Sequence, residues 1–283
     1  MYDLTSIESI RYLSNKYGFN FKKGLGQNFL TDKGVLSKIL QEQTTPGVLE
    51  IGPGFGTLTA ALATKAQKVV SIEIDKNLEK VLAETLAGFS NIKIVFGDIL
   101  KIDLKKLLAE EFNGNIIDVA ANLPYYITTP VIMSLLEMRL NIRKIILMIQ
   151  KEVAQRITSK PGTKDYGALS VACQYYSNPK IVTYVSPDKF IPRPKVDSVV
   201  ISLEVLKEPK VIVKDEKLFF KIVKASFAQR RKTLANALSN SGVLNMPKSE
   251  IIETLKSLGF DENVRGETLS IVQFAQLSDA FTK

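Results

Sequence analysis

The sequence predicts a doubly wound α/β fold, a mostly parallel sheet with an antiparallel edge, followed by a small all-helical C-terminal domain. Three observations carry this. Short β-branched runs alternate with amphipathic helical segments over the first two-thirds of the chain, the last two extended runs have no crossover helix between them, and beyond residue 206 only helical patterns remain. Strands and helices alternating at this spacing build parallel βαβ units.

The strands are read in order as "GVLEIG" (47–52), "KVVSIEI" (68–74), "IKIVFGD" (92–98), "IIDVAANL" (116–123) and "KIILMIQ" (144–150). Near-continuous apolar runs of this length suit strands covered on both faces. Between them lie amphipathic segments such as "TLTAALATKA", "KNLEKVLAETLAG" and "TPVIMSLLEMRL". "KIVTYVS" and "DSVVISLEVL" form an antiparallel pair closing one edge. "EPKVIVKDEK" reads as a connector, and amphipathic segments follow near 215–228, 229–241, 248–258 and 270–281. The expected domains are therefore 1–205 and 206–283.

Composition narrows the chemistry. The 283 residues are 45% apolar, without the roughly 18-residue apolar run that a membrane span needs. The N-terminus lacks the basic-then-apolar layout of a secretion signal. A single cysteine, Cys173, forms no intrachain disulfide, so a cytoplasmic protein without membrane contact is expected. The chain has no histidine, which excludes Ser-His-Asp and Cys-His nucleophiles and removes the commonest zinc ligand. No metal is expected.

Net charge is +9, from 38 bases and 29 acids. Its distribution says more. Residues 217–232, "KLFFKIVKASFAQRRK", hold six bases (Lys217, Lys221, Lys224, Arg230, Arg231 and Lys232) and no acid. Lys217, Lys221 and Lys224 recur at helical spacing, while Leu218, Phe219, Ile222, Val223 and Phe227 supply an apolar face. A solvated helix face accounts for this pattern. A phosphate-facing helix accounts for it better, because uncompensated bases on one face repel one another without a polyanion.

"LEIGPGFGTLT" (49–59) sets Gly52, Gly54 and Gly56 between the first strand and a helix. Glycines let the backbone approach a ligand, and a helix N-terminus favours a carboxylate; a tight strand-to-helix turn would need the same residues. The G-x-G-x-G spacing departs from the dinucleotide fingerprint G-x-G-x-x-G. Glu73 ends the second strand about 20 residues on, where a carboxylate can accept both ribose hydroxyls. Asp98 ends the third strand, where it can accept from an adenine amine or cap the next helix. A glycine turn and two acids along the carboxyl edge of one sheet suit an S-adenosylmethionine methyltransferase better than a dehydrogenase.

After the fourth strand comes "NLPYYITTP" (122–130). Asn-Leu-Pro-Tyr at this place is similar to the catalytic motif of amino-methylating S-adenosylmethionine enzymes. The chain as a whole resembles the KsgA family of ribosomal RNA adenine dimethyltransferases. The likeness runs almost end to end, through "GLGQNFLTD" (24–32), "EIGPGFGTLT", "IEID", "GDIL", "QKEVAQRI", "DYGALSV", "IPRPKVDSVV" and "FAQRRKTLANAL". The macrolide-resistance methylases of large-subunit RNA share "QNFL" and "NLPY"; the "GPG" turn, "PRPKVDSVV" and "QRRKTLANAL" fit the KsgA family better.

The resemblance implies a Rossmann-like class I methyltransferase domain over 1–205 and a helical RNA-binding domain over 206–283. It implies S-adenosyl-L-methionine as cofactor, and dimethylation of two adjacent adenosines in a small-subunit (16S) rRNA loop. The partner would be the small (30S) ribosomal subunit or its precursor, and the enzyme a monomer. Asn28 and Leu30 would contact the cofactor, with Gly52 and Gly54 beside it. Glu73 would hold the ribose and Asp98 the adenine, and Asn122 would bound the reacting end. The family usually carries an aromatic or basic residue where Leu25 stands. "GQNFLTD" also reads as a loop with a helix cap at Thr31 or Asp32.

An exocyclic adenine amine is a poor nucleophile, because its lone pair is delocalised into the ring. Asn122 offers a neutral amide acceptor, and Pro124 interrupts the strand ladder, leaving the Leu123 carbonyl as a second. Together they would aim the amine lone pair at the sulfonium methyl. Tyr125 would stack on the target base, a contact worth roughly 1–3 kcal/mol. Phe190 is either a second aromatic wall or a core residue, and Tyr126 has no assigned role. The target must be unpaired or flipped. Alternatives are a large-subunit RNA or DNA adenine methylase, or an RNA-binding assembly factor. The intact "NLPY" argues against a pure binding protein.

Overall fold

Branched and aliphatic side chains on both faces of the central strands leave them no solvated side, and the fold buries them accordingly. The structure is a computed structural model and describes residues 2–21 and 26–282; Gly24 and Leu25 of the N-terminal motif lie outside the described residues. Nine strands are present among these: β1 (Phe29–Leu30), β2 (Gly47–Ile51), β3 (Lys68–Glu73), β4 (Ile92–Phe96), β5 (Ile117–Asn122), β6 (Ile142–Gln150), β7 (Ser177–Val185), β8 (Phe190–Ile191) and β9 (Ser198–Val205). Seven form one sheet in the order β4-β3-β2-β5-β6-β9-β7. The pairs β2–β3, β3–β4, β2–β5 and β5–β6 are parallel, and β9 runs antiparallel to β6. The five expected parallel strands are all found with ends shifted by two residues at most, and the two later runs form β7 and β9 at the sheet edge, β7 starting three residues early.

From β2 the chain proceeds outward through β3 and β4, then returns to place β5 on the other side of β2. That reversal opens a crevice at the carboxyl ends of β2 and β5, where sheets of this type bind ligands. Beneath it β2 is buried along its whole length. Buried Asp118 on β5 accepts the Thr44 and Thr45 N–H groups at 2.5 and 3.0 Å. It thereby ties the segment entering β2 to the neighbouring strand.

Helices α1 (Ile7–Tyr17), α2 (Lys33–Glu42), α3 (Thr57–Ala63), α4 (Glu79–Thr85), α5 (Leu104–Phe112) and α6 (Thr128–Glu137) connect and cover these strands. Of the two expected caps for α2, Asp32 is the one used, its Oδ1 accepting the Val35 N–H at 2.9 Å. β1 pairs with β8 in a separate two-stranded ribbon, Leu30 opposite Phe190.

The described chain divides into two compact units, one of Met1–Ala154 with Pro179–Val205, the other of Gln155–Asn178 with Leu206–Lys283. The boundary expected at 205/206 is thus crossed earlier as well. Helix α7 (Lys151–Thr158) runs across the division, and α8 (Ala168–Tyr176) falls in the second unit, with α9 (Glu216–Ala228), α10 (Leu234–Ser241), α11 (Lys248–Ser257) and α12 (Ile271–Phe281). The reason is aromatic packing across distant sequence. The Tyr175 ring lies 5.1 Å from Phe219 and the Tyr166 ring 5.7 Å from Phe227, and the Tyr166 hydroxyl donates to the Leu269 carbonyl at 2.9 Å. The helix expected over 229–241 starts only at Leu234, because Thr233 caps it. Arg230, Arg231 and Lys232 therefore sit in the preceding turn. Among the described residues no helix is long and apolar enough to cross a membrane.

Candidate methyl-transfer site

The three glycines after β2 adopt positive φ values of +75°, +59° and +88°, a backbone that only glycine enters cheaply. Each has its own reason. At Gly52 an added Cβ would meet nothing within 4 Å, so the turn is open there. At Gly54 it would lie 2.6 Å from the Phe29 ring, which packs directly under the turn. The Gly54 N–H donates to Glu73 Oε2 at 3.2 Å, and the Asp75 N–H donates to Oε1 at 2.7 Å. Burial pushes the Glu73 carboxyl above its ordinary range against these two donors, and Asp75 pushes it further. One residue before the turn's own strand end, Glu50 is wholly buried, with Ser71 Oγ donating to it at 2.6 Å. Burial raises its carboxyl to about 7.

Gly52, Gly54 and Glu73 face a cavity of about 330 Å³ at the carboxyl edge of the sheet, within the range of small-ligand pockets. Asn28, Leu30, Gly52, Gly54, Glu73 and Asp98 line it from one set of loops, and Asn122, Leu123, Pro124 and Tyr125 from another. Asp98 also accepts the Leu100 N–H at 3.0 Å, so its turn-capping role is real and coexists with its place in the cavity. The exposed apolar side chains of Ile74 and Leu100 follow the two acids and also line the cavity. Sequence reading passed over both. Their only signal was position, one and two residues beyond an acid at a strand end.

The turn after β5 is held from the N-terminal segment. Asn122 Nδ2 donates to the main-chain carbonyl of Asn28 at 2.7 Å, and Asn28 Nδ2 donates to the Gly26 carbonyl at 3.0 Å. A carbonyl only accepts, so the NH₂ end of Asn122 must face Asn28 and its Oδ1 turns the other way. The Leu123 N–H continues the ladder to the Met148 carbonyl at 3.2 Å. Its own carbonyl accepts nothing among the described residues. Tyr125 is half-buried and its hydroxyl is 3.1 Å from Ser198 Oγ. Burial raises this phenol above its ordinary range, against the Ser198 hydrogen bond.

Phe190 does not join this set. It is 4% exposed and packs in the core with Leu30, Leu36 and Val185, because the β1–β8 ribbon turns its ring inward. Core packing, not a second aromatic wall, is what the structure contains. The six bases of 217–232 belong to the other unit. All are exposed, with Lys217, Lys221 and Lys224 on one helix and Phe219, Ile222 and Val223 buried behind them.

The cavity suits an S-adenosylmethionine-sized ligand: open space at Gly52, a carboxylate at Glu73, and apolar walls beside Asp98. Comparison with known proteins points the same way. The chain is 50% identical to Ribosomal RNA small subunit methyltransferase A of Alkaliphilus metalliredigens over 97% of this chain and 96% of that one. It is likewise 50% identical to the protein of that name from Clostridioides difficile, over 98% and 96%. Among solved structures it is similar to a dimethyladenosine transferase from Plasmodium falciparum, at 28% identity and a TM-score of 0.73, covering 88% of this chain and 95% of that one. The 23S rRNA methyltransferase ErmE is similar at 26% identity and a TM-score of 0.68, covering 90% and 99%. A family model described as ribosomal RNA adenine dimethylase matches residues 18–283, and the chain accordingly belongs to that family of S-adenosylmethionine-dependent rRNA methyltransferases.

Proposed function

We propose that the protein dimethylates the exocyclic amines of two adjacent adenosines in a small-subunit (16S) rRNA loop, acting in the cytoplasm during small-subunit biogenesis. The observation that carries this reading is the Asn122 amide, turned by the Asn28 carbonyl so that Oδ1 is left as an acceptor beside the free Leu123 carbonyl. Two acceptors at one turn match an amine with two hydrogens. The small-subunit assignment rests on the names of the relatives at about half identity over nearly the whole chain.

In this reading Glu73 accepts the ribose hydroxyls, Asp98 accepts from the adenine amine, and Ile74 and Leu100 enclose its faces. Asn28 and Leu30 border the cavity from the N-terminal side, with Gly52 and Gly54 leaving room for close approach. When bound, S-adenosylmethionine supplies an activated methyl group on a sulfonium. The chain's own part is positioning. Asn122 Oδ1 and the Leu123 carbonyl accept the target amine's hydrogens, which turns its lone pair toward the methyl donor. Tyr125 stacks on the base, with its ring held by Ser198. No side chain needs to remove a proton before transfer, which fits a site without histidine.

The Asn28 carbonyl gives a reason for a neutral residue at position 122. An aspartate would set one of its oxygens against the Asn28 carbonyl, acceptor to acceptor, where the amide now donates. The exposed bases of α9 are assigned to the RNA backbone, in a helical domain devoted to RNA.

The test is to incubate the protein with labelled S-adenosylmethionine and undermethylated small and large ribosomal subunits, then map the modified bases. Label in two adjacent loop adenines of small-subunit RNA is expected. Label confined to large-subunit RNA would overturn the assignment in favour of the macrolide-resistance type.

A further inference from the structure

Tyr126 follows the stacking tyrosine directly but is built differently. The Ile127 N–H donates to the Pro124 carbonyl at 3.2 Å, which makes Tyr125 and Tyr126 the two central residues of one turn. Tyr125 is half-buried and tied to Ser198. Tyr126 is 55% exposed and also lines the cavity. Among the described residues its ring has no aromatic or cation partner, and its hydroxyl has no hydrogen bond. The ring lies near the N-terminal segment: a Cβ added at Gly26 would lie 3.8 Å from Tyr126 Cδ1 and 3.4 Å from Pro124 Cβ, ordinary contact distances.

An exposed aromatic ring at the edge of a cavity offers a stacking platform, since every base presents a π-face. The cavity lacks the aromatic wall that Phe190 was expected to provide, because that ring is in the core. We propose that Tyr126 is a second base-binding subsite, stacking on the unpaired purine that flanks the adenine held at Tyr125. The two side chains leave the turn from successive positions and make no ring contact with each other among the described residues, which leaves each ring able to take its own base. A nucleotide next to an extruded base has lost its stacking neighbour, and Tyr126 replaces it. This inference rests on the methyltransferase reading above.

The experiment measures methylation kinetics of wild type, Tyr126→Phe and Tyr126→Ala on an RNA stem-loop with two adjacent unpaired adenines. A second RNA is abasic at the flanking position, and equilibrium dialysis with labelled S-adenosylmethionine follows cofactor affinity. Tyr126→Ala is expected to raise KM for the intact RNA by about 5- to 150-fold, the span of one base–aromatic stack. Cofactor affinity should stay constant, and Tyr126→Phe should remain within about twofold. On the abasic RNA the difference between wild type and Tyr126→Ala should vanish. Equal KM for wild type and Tyr126→Ala on intact RNA overturns the subsite and leaves the methyltransferase reading standing. So does an undiminished loss on the abasic RNA. A wild-type protein that methylates no adenine in either stem-loop or ribosomal subunit overturns both.

Discussion

Around the cavity, most polar candidates are held by another group; among the bases of 217–232, almost none is. Glu73 is fixed by two N–H donors, Asn122 by the Asn28 carbonyl and Tyr125 by Ser198. Lys217, Lys221, Lys224, Arg231 and Lys232 stand exposed, without an ion pair among the described residues. The difference teaches how each region can work. A cavity that aligns one amine with one methyl group depends on direction, which hydrogen bonds supply. A surface that meets a phosphate chain depends on charge, which needs no fixed geometry and acts through counterion release. Changes at the first should be abrupt and specific to the reaction, and changes at the second graded and sensitive to salt.

The sharpest break is expected at Asn122. Asn122→Ala removes one acceptor and should lower kcat by about 100- to 1000-fold, the usual loss for a single preorganised polar contact at a reacting centre. Binding of labelled S-adenosylmethionine should be nearly unchanged; near-normal turnover would remove Asn122 from the chemistry. Asn122→Asp tests whether the Asn28 carbonyl is why the residue is neutral. If the Asn28 carbonyl requires a donor, the protonated acid meets that need and the carboxylate does not. Its residual activity, relative to wild type, should then rise as pH falls from about 8 to about 5. A flat ratio across that range would remove the Asn28 carbonyl as the reason for a neutral residue.

The directional contacts were partly legible and partly not. "GPGFG", Glu73, Asp98 and Asn-Leu-Pro-Tyr could be read because each sits at a strand end that periodicity locates. The bond from Asn122 to the Asn28 carbonyl could not, since it joins residues 94 positions apart through a backbone atom. Phe190 failed for a related reason: a two-residue ribbon with β1 decides which way its ring points. The grouping of Gln155–Asn178 with the second unit could not be read, because Tyr166 and Tyr175 choose their partners among phenylalanines of α9. Hydrophobic pattern marks a face as buried without naming what buries it.

The cavity end also carries a cost that α9 does not. Glu50 is wholly buried with its carboxyl raised from 4.5 to about 7 by burial. Between those two values the folded chain keeps a proton that the unfolded chain has released. Stability therefore falls as pH rises through the window, by about 3 kcal/mol in total. Glu50→Gln keeps an oxygen for Ser71 and removes the charge. In urea unfolding it should match wild type near pH 4.5 and exceed it by about 3 kcal/mol near pH 8. An equal difference at both pH values would mean that packing, not ionisation, sets the effect.

The smallest effects should separate the bases of 217–232 from one another. Reversing Lys221, Lys224 and Arg231 to Glu should weaken RNA binding on the order of tenfold near physiological salt. It should also flatten the log K against log salt slope by about 2, at roughly 0.7 per single-strand phosphate. Cofactor affinity should not move. Arg230 is the exception in this group: its guanidinium pairs with Glu267 at 3.1 Å and donates to the Lys164 carbonyl at 2.7 Å. With those donors already engaged, Arg230→Ala should change RNA affinity by less than about twofold and leave the salt slope almost as it was. It should instead lower thermal stability slightly, since a partly exposed pair contributes about 1 kcal/mol at most. A salt slope that falls as much for Arg230→Ala as for loss of one free lysine would show that the pair opens to meet RNA, and the division between held and free charges would not extend to this segment.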